Sequence, residues 1–438
     1  MSINLPNVLD FFQDCFKIKT YAVYDKALLY LKGLFKIEKN RANCCTISET
    51  IGELNNQSLN HFISNSPWDY KKIFQELPVL ISSHFDAKKP VALLIDEVGF
   101  RKKGKNSACV GRQYLGCIGK NDNGQVAVVA GLSQDEFYCP ITAELFMPES
   151  WNNDNQRRDK CGIPESIQHK TKPTMALEMI LGSKKNNVNF DFVNFDALYG
   201  SSIQLLDSLI QNNILFMGDI RENMKIYQQE PLFYYPKTTS KKGRKRQYPI
   251  TDAKSISVRE LSKFKDNEQW REVSLRTGTN GVIKASFYEQ IIWICSDIHV
   301  GRVLKLKLLI RRDDDGKTKY SLSNMMNLDL FELAKRQGQR VFIEKIFEEG
   351  KNQVGLGDYQ VRSWDGFHKH LAISFIGLFY FFYQKITNKE KIHLTAPIIK
   401  KLVASSIKSN WDNPLKAIEM AITHLEKYFD PIKSKPPS

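Results

Sequence analysis

The sequence Val91-Ala-Leu-Leu-Ile-Asp96 begins with a run of apolar residues and ends in a carboxylate. A short continuous apolar run is typical of a strand that is covered on both faces of its sheet. A second segment, Phe190-Asp-Phe-Val-Asn-Phe195, again precedes an acid, Asp196. The carboxyl ends of such strands border a ligand crevice in open α/β sheets. The two segments therefore predict an α/β core with Asp96 and Asp196 at the ends of its strands.

The residues around these two strands predict further elements of the core. Asn121-Asp-Asn-Gly124 lies between two runs of small and β-branched residues, a pattern typical of a hairpin turn. Apolar spacing after Pro173 predicts a helix over 174–181. Beyond residue 219 the β pattern returns, and we interpret this block as a β-rich insertion. Its candidate strands are 273–276, 283–287, 291–294 and 304–310.

Helical patterns frame the β segments at both ends of the chain. Apolar residues recur at helical spacing from 8 to 83, and helices are expected at 331–351, 364–385 and 413–428. For the N-terminal helices two interpretations stay open, DNA binding and plain packing. The chain then divides into a helical N-terminal unit (1–85), a first part of the core (86–218), the β-rich insertion (219–324), a second part of the core (325–390) and a helical C-terminal segment with a tail (391–438).

The composition limits the classes of function. The chain has 438 residues, of which 42% are apolar and 25% charged, and this globular usage excludes a mostly disordered or collagenous protein. Its 63 lysines and arginines exceed its 48 acids, which leaves a formal charge of +15. Because each phosphate neutralised by a cationic side chain releases counterions, nucleic acid becomes the leading partner class.

Other classes of site and location are disfavoured by the sequence. The eight cysteines are scattered without a C-x-x-C pair, which argues against a zinc site or a disulfide framework. The first residues lack the basic and apolar regions of a signal peptide. The longest apolar stretch, 371–383, is shorter than the roughly 20 residues that cross a bilayer. We therefore expect a cytoplasmic protein without a membrane partner.

The segment 331–351 carries a third acid, Glu344. In one continuous helix Arg340, Glu344, Glu348 and Lys351 would share a face. Such a face is ordinarily a solvated stripe, in which an Arg340–Glu344 pair contributes about 0.2–0.5 kcal/mol. The spacing Gln337-(2)-Arg340-(3)-Glu344-(6)-Lys351 also has a functional interpretation.

This spacing resembles the C-terminal signature Tyr-(2)-Arg-(3)-Glu-(6)-Lys of bacterial insertion-sequence transposases of the DDE type, in the insertion sequence four superfamily. Gln337 stands at the position of the signature Tyr. Four more strings resemble these proteins in the correct order, so that the resemblance spans about 27–383 and is that of a DDE superfamily endonuclease. The strings are Leu94-Ile-Asp-Glu-Val-Gly-Phe-Arg-Lys-Lys-Gly104, Gly111-Arg-Gln-Tyr-Leu-Gly116, Met147-Pro-Glu-Ser-Trp151 and Asp358-Tyr-Gln-Val-Arg-Ser-Trp364.

The resemblance implies an RNase H-like catalytic core in which the β-rich insertion separates the second Asp from the Glu. Carried over by position, the catalytic and metal-binding acids are Asp96, Asp196 and Glu344. The implied cofactor is a pair of Mg²⁺ ions, with Mn²⁺ able to substitute. Mg²⁺ prefers hard oxygen ligands, and two ions about 3.5–4 Å apart can stabilise the attacking and the leaving oxygen of a phosphodiester.

The implied reaction is cleavage at the ends of a mobile DNA element, followed by attack of the exposed 3′-OH on target DNA. The implied partners are double-stranded DNA, including terminal inverted repeats, and a second copy of the chain in a homodimer on DNA. Such an enzyme would be associated with the nucleoid. Two alternatives stay open: a domesticated, catalytically silent DNA-binding protein of the same fold, and a nuclease that cuts without joining.

Basic residues near the acids are candidates for DNA contacts. Arg340 and Lys351 are expected to clamp phosphates, as the signature implies, Arg as a planar fork and Lys as a point charge. Two basic runs are expected to add phosphate contacts, although such runs are ordinarily solvated loops. Their residues are Arg101, Lys102, Lys103, Lys105, Lys241, Lys242, Arg244, Lys245 and Arg246.

Three further acids compete with the chosen ones. Asp191 is a rival for the second acid, but the pattern puts it inside its strand, whereas Asp196 precedes the turn-like Ala-Leu-Tyr-Gly200. Glu97 and Glu348 neighbour the proposed ligands, and we expect structural roles for both.

Overall fold

The protein is described here by a computed structural model. The described residues are 5–18, 23–39, 41–52, 55–235, 249–263, 269–278, 281–296, 302–388 and 394–408. The helix expected at 413–428 and the basic residues Lys241, Lys242, Arg244, Lys245 and Arg246 lie outside these ranges. The structure confirms a mixed α/β architecture built on one large mixed sheet.

The helices lie before, between and after the strands of the sheet. They are α1 (Leu5–Asp10), α2 (Tyr24–Lys36), α3 (Cys44–Ile51), α4 (Asn56–Ser64), α5 (Tyr70–Ser82), α6 (Asn155–Cys161), α7 (Lys172–Lys185), α8 (Ala197–Gly200), α9 (Ile203–Gln211), α10 (Val258–Lys263), α11 (Leu330–Gly338), α12 (Val341–Gln353), α13 (Trp364–Thr387) and α14 (Ala396–Ser406). Within the described ranges, none of these helices is long and apolar enough to span a membrane.

The strands fall into two groups along the chain, before and after residue 250. They are β1 (Ala92–Arg101), β2 (Gly111–Leu115), β3 (Lys120–Gln134), β4 (Phe137–Leu145), β5 (Phe192–Phe195), β6 (Phe216–Ile220), β7 (Lys225–Ile226), β8 (Ile256–Ser257), β9 (Arg271–Gly278), β10 (Gly281–Cys295), β11 (Val303–Arg312) and β12 (Thr318–Ser323).

The main sheet has the strand order β2-β3-β1-β5-β6-β12-β11-β10-β9, and β4 also pairs with β3. Strand β1 is antiparallel to β3 and parallel to β5, and β5 is parallel to β6. Strands β9 to β12 pair antiparallel, and β12 joins them to β6. The β-rich block therefore extends the core sheet, and β6 contains residue 219, at which the insertion was expected to begin.

Helix α13 is buried along nearly its whole length. Its buried residues include both faces of the helix, as expected of a helix that is apolar all round. It packs against β4 and against α2, α4 and α5. Lys369 and His370 are buried polar residues of this helix that are hydrogen-bonded, since Lys369 Nζ donates to Ser66 O at 2.8 Å and His370 Nδ1 lies 2.9 Å from Tyr30 Oη. The N-terminal helices thus share one hydrophobic core with the sheet.

The hairpin expected at Asn121–Gly124 is placed wrongly by the sequence pattern. The turn lies at 116–119, between β2 and β3, with Gly119 at a φ of +64°. Asn121 to Gly124 belong to β3, where Gly124 pairs with both Gly111 and Arg101. A Cβ at position 124 would lie 2.6 Å from the Phe100 carbonyl oxygen, so glycine serves close strand packing there.

Candidate active site

Three acids lie in one row across the parallel strands of the sheet. The register pairs Ile95 of β1 with Phe195 of β5, and Phe195 with Gly218 of β6. The next residue in each segment is an acid, namely Asp96 within β1, Asp196 directly after β5 and Asp219 within β6. Because successive side chains alternate between the faces of a strand, an equal register puts the three acids on the same face.

The sequence pattern predicts Asp96 at the end of its strand, but in the structure Asp96 lies inside β1. The strand continues to Arg101 because β3 pairs with it along its whole length, with Asp96 opposite Val129. The side chain is only 15% exposed. One carboxylate oxygen, Oδ1, accepts a hydrogen bond from the Glu97 backbone N–H at 2.7 Å.

Asp196 is positioned by the helix that follows β5. It is the N-cap of α8, and its Oδ1 accepts hydrogen bonds from the backbone N–H groups of Leu198 at 2.9 Å and Tyr199 at 3.4 Å. An N-cap carboxylate satisfies donors that have no partner within the helix, so this acid is held by the backbone itself. Its rival Asp191 lies before β5, at the opposite end, where its carboxylate accepts from the Val91 N–H at 2.7 Å.

Asp219 was missed by the sequence analysis. Its Oδ1 accepts from Ser321 Oγ of β12 at 2.6 Å, and its Oδ2 lies 2.9 Å from Arg340 Nε. The signal was present, since the short apolar run Ile214-Leu-Phe-Met217 precedes Gly218 and Asp219, much as apolar runs precede the other two acids. The β pattern beyond it instead predicts that the insertion begins at Asp219.

Two glycines allow the elements that carry Asp196 and Asp219 to pack closely. A Cβ at Gly200, the last residue of α8, would overlap the carbonyl oxygen of Asp219. A Cβ at Gly218 would overlap the ring of Phe195. Helix α8 and strands β5 and β6 can therefore approach one another at this level only because both positions lack a side chain.

Arg340 links the row of acids to Glu344. Its Nε contacts Asp219, its Nη2 lies 2.8 Å from Glu344 Oε1, and its Nη1 lies 3.9 Å from Asp96 Oδ2. The arginine is 16% exposed, whereas the Glu344 side chain is 55% exposed. One guanidinium thus contacts acids from β1, β6 and α12.

The single helix expected over 331–351 is in fact two helices. Helix α11 ends at Gly338 and α12 begins at Val341, with Arg340 at the junction. Backbone hydrogen bonds there run from residue i to i−3, as in Arg340 N–H to Gln337 O and Ile343 N–H to Arg340 O. Such bonds tighten the helical turn at the junction. Arg340 therefore lies before α12 and Lys351 lies within it, so the two residues do not share a face of one continuous helix as expected.

The charges at the site shift the pKa values of its groups. Burial, and then repulsion from Asp196 and Glu97, raises the pKa of Asp96 well above its usual value, against the attraction of Arg340. Burial, followed by repulsion from Glu97, also raises the pKa of Asp196. For Arg340 burial acts to lower the pKa, but Asp219 and the other acids outweigh it and raise the pKa. Crowded, buried carboxylates attract a cation.

The donor chemistry of the row suits a hard divalent cation. Asp96 and Asp196 offer carboxylate oxygens, the ligands that Mg²⁺ prefers. Glu344 is engaged with Arg340, and in the described part of the chain no group of three His, Cys, Asp or Glu side chains is arranged to hold a metal ion. The two strand acids fit such a cation, and Glu344 could join them only after a change in its pairing with Arg340.

The expected DNA contacts differ in how accessible they are. Arg101, which pairs with Asp122 at 2.8 Å, and Lys103 and Lys105 are exposed. Lys102 is unsuited to a phosphate contact, because its Nζ lies 3.4 Å from the centre of the Tyr359 ring and donates to Tyr359 O at 3.2 Å. Burial lowers its pKa to about 8.

Lys351 is also partly withdrawn from solvent. Its Nζ donates to the Gly99 carbonyl at 3.2 Å and lies 5.7 Å from the centre of the Phe100 ring. Burial acts first to lower its pKa. It therefore lies against β1, three residues beyond Asp96.

Arg276 of β9 is a cation near Glu344 that sequence analysis did not identify. Its guanidinium lies 5.9 Å from the Phe342 ring centre, and its pKa is lowered first by burial and then by Arg311, while Glu344 raises it. Among the described residues it has no acid within ion-pair distance. The insertion thus brings positive charge to the exposed acid of the site.

The two glutamates expected to be structural have different surroundings. Glu97 Oε1 lies 3.2 Å from Lys172 Nζ at the start of α7, and both side chains are largely buried. Glu348 Oε2 lies 2.7 Å from Lys345 Nζ, and both of these are about half exposed. Glu97 therefore neighbours Asp96 inside the site, whereas Glu348 belongs to a surface pair.

Comparisons with known proteins show which family the chain resembles. A family model described as DDE superfamily endonuclease matches residues 11–282. That match includes Asp96, Asp196 and Asp219 and ends before Glu344. The chain is also 27% identical over 321 residues to a protein named "Probable transposase for insertion sequence element IS701" from Microchaete diplosiphon, covering 72% of this chain and 71% of that protein.

Proposed function

Because the chain belongs to the DDE superfamily endonuclease family, we propose that it is an insertion-sequence transposase that cleaves and joins DNA. The observation that carries this proposal is the placement of Asp96 and Asp196 side by side on neighbouring parallel strands, with Glu344 linked to them through Arg340. The name of the similar Microchaete protein points in the same direction.

The strand order supports the finer proposal of an RNase H-like core. Strands β4, β3 and β1 form an antiparallel group, and β5 and β6 follow in parallel at the other edge of β1. The proposed catalytic acids are Asp96 and Asp196 from this core and Glu344 from α12. In this assignment β7 to β12 are the insertion between the second and third acid.

The proposed cofactor is Mg²⁺, held by Asp96 and Asp196 and completed by Glu344. A bound divalent ion would activate the attacking oxygen and stabilise the charge on the leaving oxygen of the phosphodiester. The residues of the chain position the ligands and supply positive charge. Asp96 and Asp196 are fixed by the sheet and by the N-cap of α8, and Arg340 brings a planar, permanently charged donor to the position of the scissile phosphate.

The proposed substrate is double-stranded DNA, namely the inverted repeats at the ends of the element and then the target, held by a homodimer. The described cations that we propose for contacts to its phosphates are Arg101 at the end of β1, Lys103 and Lys105 in the segment after it, and Arg276 on β9. Such contacts would hold the DNA over Asp96 and Asp196.

The test uses a plasmid that carries the gene with its own genomic flanks, incubated with purified protein and Mg²⁺. Asp96→Ala and Asp196→Ala proteins are the controls, and products are mapped at nucleotide resolution. Cuts at the element ends with joined products, absent from both variants, are expected. Cuts without joining would identify a nuclease, and binding without cuts would identify a silent DNA-binding protein.

A further inference from the structure

We propose that Asp219 is a positioning residue that orients Arg340, and through it Glu344, for the reaction. This inference rests on the proposed function and adds a residue to it. Asp219 is not one of the three acids that the family resemblance implies, and the sequence pattern does not predict it. Its role follows from which atom of Arg340 it binds.

Asp219 binds the inner nitrogen of the guanidinium. Its Oδ2 lies 2.9 Å from Arg340 Nε, whereas Nη1 and Nη2 extend toward Asp96 and Glu344. A guanidinium is planar, so a bond at Nε restricts the plane in which both outer nitrogens lie. Without that bond the guanidinium would keep only its contacts with the exposed Glu344 and, at 3.9 Å, with Asp96.

The position of Asp219 is itself fixed from two sides. Its Oδ1 accepts from Ser321 Oγ at 2.6 Å and from Gln337 Nε2 at 3.4 Å. Its side chain is 13% exposed, so few competing water molecules reach it. The acid is therefore a rigid anchor on a central strand, and Arg340 lies at the less regular junction of α11 and α12.

Gln337 connects this anchor to the insertion. Its Oε1 accepts from Arg311 Nη1 of β11 at 3.3 Å, while its Nε2 donates to Asp219. An amide side chain donates and accepts at once, which a single charged residue there could not do. Gln337 thus has a defined role in this chain although it stands at the position of the signature Tyr, and it is 4% exposed.

The anchor holds Arg340 at the site independently of the Glu344 pair. Breaking the contact between Nη2 and Glu344 leaves the contact between Nε and Asp219 in place. Glu344 can then turn toward Asp96 and Asp196 while the guanidinium stays close enough to contact a phosphate. In this arrangement Asp219 contributes to the rate of cleavage rather than to the affinity for DNA.

The test is a double-mutant cycle with Asp219→Asn and Arg340→Gln. Asparagine keeps the shape of the side chain but removes its charge and can turn a donor toward Arg340 Nε. A matched control is Asp207→Asn, because Asp207 is a buried acid that likewise pairs with an arginine, Arg302 at 3.0 Å, and accepts from a serine hydroxyl. Single-turnover cleavage rates, DNA dissociation constants and thermal unfolding are measured for each protein.

We expect Asp219→Asn to slow cleavage about 10–100-fold with little change in DNA affinity, and the double variant to be no slower than Arg340→Gln alone. The Asp207→Asn protein should cleave at the normal rate. The proposal is overturned if Asp219→Asn cleaves like Asp207→Asn, or if the effects of the two substitutions multiply.

The double-mutant cycle measured by thermal unfolding distinguishes a failure of this proposal from a failure of the proposed function. If the wild-type protein does not cleave its own flanks, the proposed function fails. Non-additive effects of Asp219→Asn and Arg340→Gln on unfolding would then still support the anchor. Additive effects on unfolding would overturn it without any reference to DNA.

Discussion

The strand acids and the helix acid of this site are held in different ways. Asp96 and Asp196 are mostly buried and are fixed by strand register and by backbone N–H donors. Glu344 is 55% exposed and is held by one side chain, Arg340. The backbone therefore positions one half of the site, whereas the other half depends on an ion pair that can exchange partners.

The largest effect that separates the two halves is expected from Glu344→Ala. If Glu344 completes the site, loss of its carboxylate removes several kcal/mol of stabilisation of the transition state, and single-turnover cleavage slows about 10²–10³-fold. Glu348→Ala, one turn further along α12, is the matched control and should change the rate less than about twofold. Intact cleavage by the Glu344 variant with loss of cleavage by the Glu348 variant would reverse our assignment.

A smaller effect, on the affinity for DNA, is expected from Arg276, the cation near Glu344. Arg276→Ala should weaken binding to duplex DNA about tenfold at 0.1 M salt and reduce the salt dependence of binding by about one unit of slope, because one phosphate contact is lost. Arg259→Ala, which removes a surface arginine paired with Glu222 at 3.0 Å, serves as the control. Equal salt slopes in titrations of the wild-type and Arg276 proteins would exclude this contact.

The smallest effect is expected on the stability of the protein without DNA, and it comes from the buried acid Asp96. The pKa of Asp96 is raised in the folded protein above its usual 3.8. Stability is therefore lost as the pH rises from about that usual value through the folded pKa, since the folded state holds the proton more tightly than the unfolded state. Asp96→Asn removes this loss and should raise the melting temperature about 1–2 °C at pH 8 but not at pH 4.

Added Mg²⁺ should reverse the order of the two proteins at pH 8. An ion that binds only the folded wild-type protein stabilises it, and the asparagine variant lacks the ligand charge. Calorimetric scans at both pH values, with and without Mg²⁺, measure this. A difference between the proteins that is the same at pH 4 and pH 8 would mean that the buried charge is not its cause.

The sequence predicts the buried half of the site better than the exposed half. Short apolar runs ending in an acid predict Asp96 and Asp196 because a covered strand leaves a simple one-dimensional pattern. Asp219 follows a similar run, but the β pattern beyond it suggested an insertion. Only the pairing of β12 with β6 shows that it lies on a core strand.

Helical spacing predicts the Arg340–Glu344 pair, which the structure contains, but not the junction at Arg340. A tightened turn depends on how α11 packs on β6, β9, β10 and β11, contacts that are distant in the sequence. The burial of Lys102 under Tyr359 likewise depends on a residue more than 250 positions away. Patterns along the chain do not contain such contacts.

Gly200 and Gly218 give the site a vulnerability that its charged residues do not reveal. A copy of this gene in which either glycine codon had changed would still encode Asp96, Asp196 and Glu344. Its strands could no longer approach at the level of Asp196 and Asp219. Among decaying copies of the gene, the codons for Gly200 and Gly218 would therefore distinguish a working copy from a silent one.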